Sequence, residues 1–223
     1  MKLNTIWTGR IMMVLIVVAG PWGSSILAAE RSAEPFTGSF VVRERKTTEQ
    51  RVTESYNKGL KHQERAWQHR ENALASDSEN SRKKLISKAN KELKKALKNF
   101  DKARRLQPNF YQAHSSSGYA LKELGNFAEA VVAFDASLSL SAEYTPAIEY
   151  RAEAHLALGR LEEVREAYSM LVGLDPTKAK QLMATIDTWV SNPPSNTSEA
   201  AVEQMSTWLA SVLVRDQSGV GVD

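Results

Sequence analysis

The sequence predicts an all-α fold of stacked antiparallel helical hairpins, mainly because large apolar residues return every 34 positions. Three such sets occur: Leu93, Phe127 and Leu161; Phe100, Phe134 and Tyr168; and Leu106, Leu140 and Leu174. The pair Leu124-Gly125 also recurs as Leu158-Gly159. A period between about 20 and 50 residues indicates units that bury their apolar faces only by stacking on one another.

The spacing and the residue types together resemble the tetratricopeptide repeat (TPR) family. Counted from Tyr111, the small and aromatic positions of that pattern carry Gly118, Ala130, Phe134 and Ser137, with Ala142 in place of a proline. Counted from Thr145, they carry Ala152, Val164, Tyr168, Leu171 and Pro176, so two bulky side chains replace small ones. The resemblance covers about residues 52–190 and implies a TPR-like α-α superhelix in a short solenoid.

The pattern of apolar residues in 49–110 predicts one extended hairpin. This hairpin begins a repeat domain that spans 49–190. The first helix has a stripe at spacings of three and four: Tyr56, Leu60, Gln63, Trp67, Arg70 and Leu74. The second has a heptad seam: Ile86, Ala89, Leu93, Ala96, Phe100 and Ala103. The polar segment 76–81 separates them, with Ser76 and Glu79 spaced for a capping box. The alternative is a regular repeat at 77–110 with a degenerate first helix.

Two regular repeats are expected at 111–144 and 145–178, followed by a capping helix at 177–190 that covers the last exposed core face. Prolines and small polar residues make 191–197 a linker. An amphipathic helix follows at 198–215, with Val202, Met205, Trp208, Leu209, Val212 and Leu213 on one side. This helix either packs back on the stack or docks a partner or a second copy. The Gly-rich tail 216–223 is expected to be disordered.

The first 29 residues have the layout of a secretory signal peptide. Lys2 and Arg10 precede a nine-residue apolar run, and small residues precede Glu30. Such a run is shorter than the roughly 20 residues that span a bilayer. The alternative is an uncleaved N-terminal anchor. Residues 30–48 are expected to be a flexible tether. Export without cysteine favours the bacterial periplasm, with anchoring to the inner membrane as the alternative.

Catalytic and metal-binding patterns are not found in the sequence. It contains no cysteine, no HExxH, no phosphate-binding glycine loop and no nucleophile elbow. His62 and His69 lie seven residues apart on one predicted helix, about 10.5 Å along its axis. This separation is too long for a shared metal ion. We therefore expect neither an enzyme nor a cofactor nor a metal site.

Charge is distributed unevenly along the chain. Eleven Lys or Arg residues and two acids lie between positions 82 and 105, whereas ten acids and four bases lie between 111 and 176. The heptad seam predicts an outward basic surface made of Lys84, Lys88, Lys91, Lys94, Lys95, Lys98, Lys102 and Arg105. Such a surface either keeps the helix solvated or contacts an anionic membrane or envelope polymer. Export argues against a nucleic-acid partner.

The resemblance also implies a concave groove, lined by the first helix of each unit, that binds a peptide or a partner helix. The groove positions of the two regular units carry Gln112, Ser115, Tyr119 and Lys122, then Pro146, Glu149, Glu153 and Leu156. Where chaperone-binding members hold a C-terminal carboxylate, this chain has Ser115, Tyr119 and Glu149, so that clamp is not expected. The two glutamates predict a basic or neutral partner.

The sequence as a whole predicts a non-enzymatic scaffold or adaptor of the cell envelope, with a protein partner in the groove. The alternatives are association with anionic lipid or polymer through the basic hairpin, and self-assembly through the C-terminal helix.

Overall fold

The computed structural model describes residues 45–195 and 197–218, and within these ranges all regular structure is helical. Four antiparallel hairpins follow one another along the chain. Their helices are α1 (Thr48–Leu74), α2 (Glu79–Leu106), α3 (Tyr111–Glu123), α4 (Phe127–Leu140), α5 (Thr145–Ala157), α6 (Leu161–Leu174), α7 (Pro176–Ser191) and α8 (Glu199–Ser218). The first residues of α3 and α5 are 34 apart, as are those of α4 and α6. The predicted all-α, TPR-like fold is therefore confirmed.

The predicted signal peptide at 1–29, residues 30–44 of the predicted tether and residues 219–223 of the predicted tail lie outside the described residues. In the part of the chain that the structure describes, none of the helices combines the length and the apolar character needed to cross a membrane.

In each of the first two hairpins, a glycine of the first helix packs against a phenylalanine ring of the second. Phe100 and Phe134 are fully buried. Their rings occupy the space that a Cβ would need at Gly59 and Gly118. In the hairpin of α5 and α6, Ala152 replaces the glycine, and bulky Val164 and Leu171 are nevertheless fully buried.

The two helices of each regular hairpin are joined by a glycine in the left-handed region. Gly125 has φ +83° and Gly159 has φ +71°. The Gly125 N–H donates to the Lys122 carbonyl and the Asn126 N–H to the Leu121 carbonyl, both at 2.9 Å. This pair of hydrogen bonds ends a helix and satisfies its last carbonyl groups. The recurring Leu-Gly pairs are thus helix ends.

The first hairpin is longer than the others, with 27 residues in α1 and 28 in α2. Small residues of α1 face α2, and Gly59, Ala66 and Ala73 are buried there. The stripe expected on α1 is only partly buried, since Trp67 is 42% and Leu74 is 86% exposed. Both lie on the same helix face as Arg70, which contacts the last residue of α3. The hairpin therefore extends past the end of α3.

The start of α2 differs from the predicted capping box. Ser78, rather than Ser76, is the N-cap residue, and its hydroxyl accepts a hydrogen bond from the Ser81 N–H at 3.4 Å. The capping box of this hairpin lies at α1 instead, where the side chains of Thr47 and Gln50 each accept from the other residue's backbone N–H.

The last hairpin covers the end of the stack. Met205 and Leu209 of α8 join Leu171, Leu182 and Ile186 in one buried cluster. Val202 and Trp208 pack against the same cluster. Most of the apolar face of α8 is therefore used within the chain. The exposed apolar side chains near the end of this helix are Leu213 and Val214.

Candidate protein-binding groove

The first helices of successive hairpins lie side by side and form one surface, which we call the groove. Tyr56 of α1 hydrogen-bonds Ser116 of α3 at 3.3 Å. The rings of Tyr119 on α3 and Tyr150 on α5 are 5.1 Å apart, edge to face. Contacts between α5 and α7 continue the surface. The groove is thus lined by α1, α3, α5 and α7.

A lysine stands at the centre of the groove, between two aromatic rings and two carboxylates. The Nζ atom of Lys122 lies 5.3 Å from the Tyr119 ring centroid and 5.2 Å from that of Tyr150. It also pairs with Glu123 at 2.9 Å and with Glu153 at 2.5 Å. We call these five residues the Lys122 cluster. Such cation–π contacts strengthen as the cation loses water.

The electrostatics of the Lys122 cluster favour its charged form. Burial alone would lower the pKa of Lys122, but Glu153 and Glu123 outweigh this effect and raise its pKa above the usual value. Burial raises the pKa of Tyr119 to about 12, and Glu123 adds to this rise. Burial also raises the pKa of Tyr150. The cluster is a fixed set of a cation, two anions and two neutral phenols at neutral pH.

Two further ion pairs join the groove helices. Lys178 of α7 binds Glu149 of α5 at 2.5 Å. Burial of Glu149 raises its pKa even though Lys178 opposes this. At the other end, Arg70 of α1 pairs with the Glu123 carboxylate at 2.9 Å and also donates to its backbone carbonyl. The ion pairs thus connect all four groove helices.

The predicted groove residues fall into two groups. Partly exposed side chains belong to Gln112, Tyr119, Lys122, Pro146 and Glu153, with that of Lys122 12% and that of Glu153 18% exposed. Buried side chains belong to Ser115, Glu149 and Leu156, which are 5%, 4% and 3% exposed. The second group packs between helices, so its side chains are not available to a partner.

Sequence reasoning missed three groove residues and the pairing of the groove charges. Tyr150, Glu123 and Lys178 complete the network around Lys122 and Glu149. A weak signal was available, because Tyr150 and Glu123 directly follow predicted groove residues on the same helices. No such signal pointed to Lys178, because its contact with Glu149 depends on how α7 crosses α5.

The predicted basic surface is exposed along its whole length. All eight side chains from Lys84 to Arg105 lie on exposed positions of α2. They extend over roughly 32 Å at 1.5 Å per residue. Within this set, Lys95 pairs with Glu92 at 2.5 Å.

His62 and His114 make structural contacts. His62 Nδ1 lies 2.6 Å from the Glu92 carboxylate, which also binds Lys95. Burial lowers the pKa of His155. The His114 ring contacts the Pro108 carbonyl at 2.8 Å. Over residues 45–195 and 197–218, no three His, Asp or Glu side chains are grouped so that they could hold a metal ion.

Two TPR domains are among the known structures that are similar to this chain. The first TPR of Spaghetti (RPAP3), bound to the HSP90 peptide SRMEEVD, is 20% identical, with a TM-score of 0.41, over 56% of this chain and 94% of that one. The TPR2B domain of yeast Sti1, in a complex with pHsp70, is 15% identical, with a TM-score of 0.40, over 73% of this chain and 98% of that one. Both similarities are low, so the fold assignment rests on the helix periodicity above. No protein-family model and no curated protein matches the chain.

Proposed function

We propose that the chain is a non-enzymatic scaffold that binds a peptide or helix of a partner protein in the groove. The observation that carries the proposal is the Lys122 cluster. It places partly exposed aromatic and polar side chains on a rigid surface at the centre of the groove. A surface whose side chains are already fixed loses little conformational entropy on binding.

The paired charges indicate the chemistry of the partner. Glu149 and Glu153 each bind a lysine of the same chain. A basic partner would have to displace those lysines. We therefore favour a neutral segment that offers apolar groups to Tyr119 and Tyr150 and hydrogen-bonding groups to Gln112.

We place this scaffold in the bacterial envelope, on the basis of the signal-like features of residues 1–29. Cleavage of that segment would release the chain to the periplasm, whereas retention would anchor it to the inner membrane. Mass spectrometry of the N-terminus of the protein from fractionated cells distinguishes the two. Recovery of the intact chain from the cytosol would contradict both.

Site-specific photo-crosslinking tests the groove directly. A photoreactive amino acid at Gln112 should give discrete adducts with one partner protein. The same amino acid at exposed Ser139 of α4, outside the groove, is the control. A second variant, Thr53→Arg, adds bulk at an exposed position of α1, about one turn before Tyr56, which contacts α3, and should reduce the adducts at Gln112. Equal labelling from both crosslinker positions would contradict the proposal.

A second function is supported by the full exposure of the basic surface of α2. Each lysine near an anionic membrane contributes about 1 kcal/mol of attraction. The chain should therefore co-sediment with vesicles that contain anionic lipid, and replacing Lys91, Lys94, Lys95 and Lys98 by Glu should abolish this. Unchanged co-sedimentation of that variant would rule the function out.

A further inference from the structure

The outer faces of α2, α4 and α6 carry charges that reverse from one end of the stack to the other. Positions 34 residues apart form three rows: Lys94, Ala128 and Glu162; Lys95, Glu129 and Glu163; and Lys98, Val132 and Glu166. All nine side chains are exposed. The same surface is therefore basic on α2, nearly neutral on α4 and acidic on α6. We call it the outer face.

An apolar strip lies at the middle of the outer face. Val132 is 69% exposed, although α4 has a buried side available for apolar residues. Ala128 and Ala136 stand one turn before and one turn after it, and Ala128 is exposed as well. On α6, Met170 adds another exposed apolar side chain, at 44%. Ala128 and Val132 thus form a small exposed apolar area between the basic helix α2 and the acidic helix α6.

We propose that the outer face binds the outer face of a second copy of this chain. A two-fold axis along α4 would set α2 of each copy against α6 of the other, and Val132 against its own copy. The two copies would then match Lys94, Lys95 and Lys98 with Glu162, Glu163 and Glu166 at the same level along the helices. Such a contact is self-complementary, as a two-fold interface requires.

The charges favour this arrangement over a different two-fold axis and over a membrane as the partner. A two-fold axis across the helices would set α2 against α2 and α6 against α6, so that like charges repel. An anionic membrane laid on the same face would attract α2 but would be repelled by the three glutamates of α6. Only a partner that is itself basic at one end and acidic at the other fits the whole face, and a second copy meets that requirement.

The contact is small and governed by charge. The outer helices α2, α4 and α6 pack through α3 and α5 rather than directly on one another, so the two copies would touch along three separate helix ridges and bury only a small area. This area is at the low end for specific complexes, so the dimer should be weak and sensitive to salt. The groove lies on other helices and stays open, so one dimer would present two grooves. The inference goes beyond the proposed function and does not depend on it.

A charge-swap experiment on the full chain tests the dimer. One variant carries Lys94→Glu and Lys98→Glu, a second carries Glu162→Lys and Glu166→Lys, and a third carries all four changes. Light scattering with size-exclusion chromatography should give twice the monomer mass of 24.8 kDa for the wild type at low salt. About tenfold weaker association is expected near 0.5 M salt, where charges are screened beyond a few Å.

The first and second variants should each be monomeric, because like charges then face each other. The third variant should dimerise again, and an equimolar mixture of the first two should form a heterodimer. Circular dichroism checks that each variant remains folded. Since all variants share the same termini, a contact made elsewhere would be unaffected by these changes. A monomeric wild type at low salt, or a dimer that none of the variants weakens, overturns the proposal.

Discussion

Replacing Gly59 by alanine tests the packing of the first hairpin, because the same change has opposite effects on the helix and on the core. A Cβ atom at this position would lie 2.4 Å from Cε1 and 2.6 Å from Cδ1 of Phe100. Carbon atoms in contact prefer about 3.5–4.0 Å, so the ring would have to move by about 1 Å. Phe100 is fully buried and also contacts the Tyr56 ring at 5.7 Å, which leaves it little room.

The expected loss of stability follows from these distances. Forcing an extra methyl group into a packed core costs about 1–3 kcal/mol. Alanine is favoured over glycine inside a helix by about 1 kcal/mol, which offsets part of that cost. We therefore expect Gly59→Ala to lower the free energy of unfolding by up to about 2 kcal/mol, and by about 1–3 kcal/mol relative to a helical Gly→Ala change that meets no neighbour.

Gly173→Ala is the matched control, since a Cβ there would meet nothing within 4 Å. It should leave the stability unchanged or raise it by up to about 1 kcal/mol. Urea unfolding followed by circular dichroism measures both variants. Adding Phe100→Leu should cost less in the Gly59→Ala background than in the wild type, because the ring is then already displaced. A Gly59→Ala variant as stable as the Gly173→Ala control would refute the packing argument.

Three further changes address the groove and the last hairpin. Lys122→Met leaves the partly buried Glu153 carboxylate without its cation, whereas Glu123 keeps its pair with Arg70. The variant should lose about 3 kcal/mol of stability, with at least half recovered on adding Glu153→Met. No recovery in urea unfolding would contradict the ion-pair argument. His155 has a folded-state pKa below its usual value of 6.5, so its neutral form is favoured. Its contribution to the free energy of unfolding is complete above pH 6.5 and is lost as the pH falls through 6.5 towards the lower folded-state pKa. His155→Gln should therefore reduce the decline in stability between about pH 7.5 and pH 5, and equal declines would refute this. Asp175→Ala removes the side chain that accepts two N–H bonds at 3.2 Å at the start of α7. It should cost about 1 kcal/mol, and unchanged amide exchange in the first turn of α7 would argue against the cap.

The sequence allowed the fold to be predicted because its repeating features are local. A helical hairpin needs apolar residues at spacings of three and four, a break with glycine, and a small residue opposite a large one. Gly118 with Phe134, and the turn at Gly125, meet these requirements within 34 residues of chain. The same rules apply to each unit independently, so the repeat is visible before any unit is assembled.

The groove was only partly predictable for a different reason. Repeat positions identified Tyr119, Lys122 and Glu153 as surface residues, but not the contacts between them. Lys122 reaches Glu153 across 31 positions, and Lys178 reaches Glu149 across 29. These distances depend on how one hairpin is rotated against the next, which the spacing within a hairpin does not specify.

By itself, the sequence determined the all-α architecture of helical hairpins and the basic character of α2, because both follow from helical periodicity. The tertiary structure decided which side chains remain open to a partner. Glu149 and Ser115 became buried where helices cross, and Leu74 became exposed because the end of α1 extends past α3. The physical reason is that burial depends on the neighbouring helix and its length, whereas periodicity depends on one helix alone.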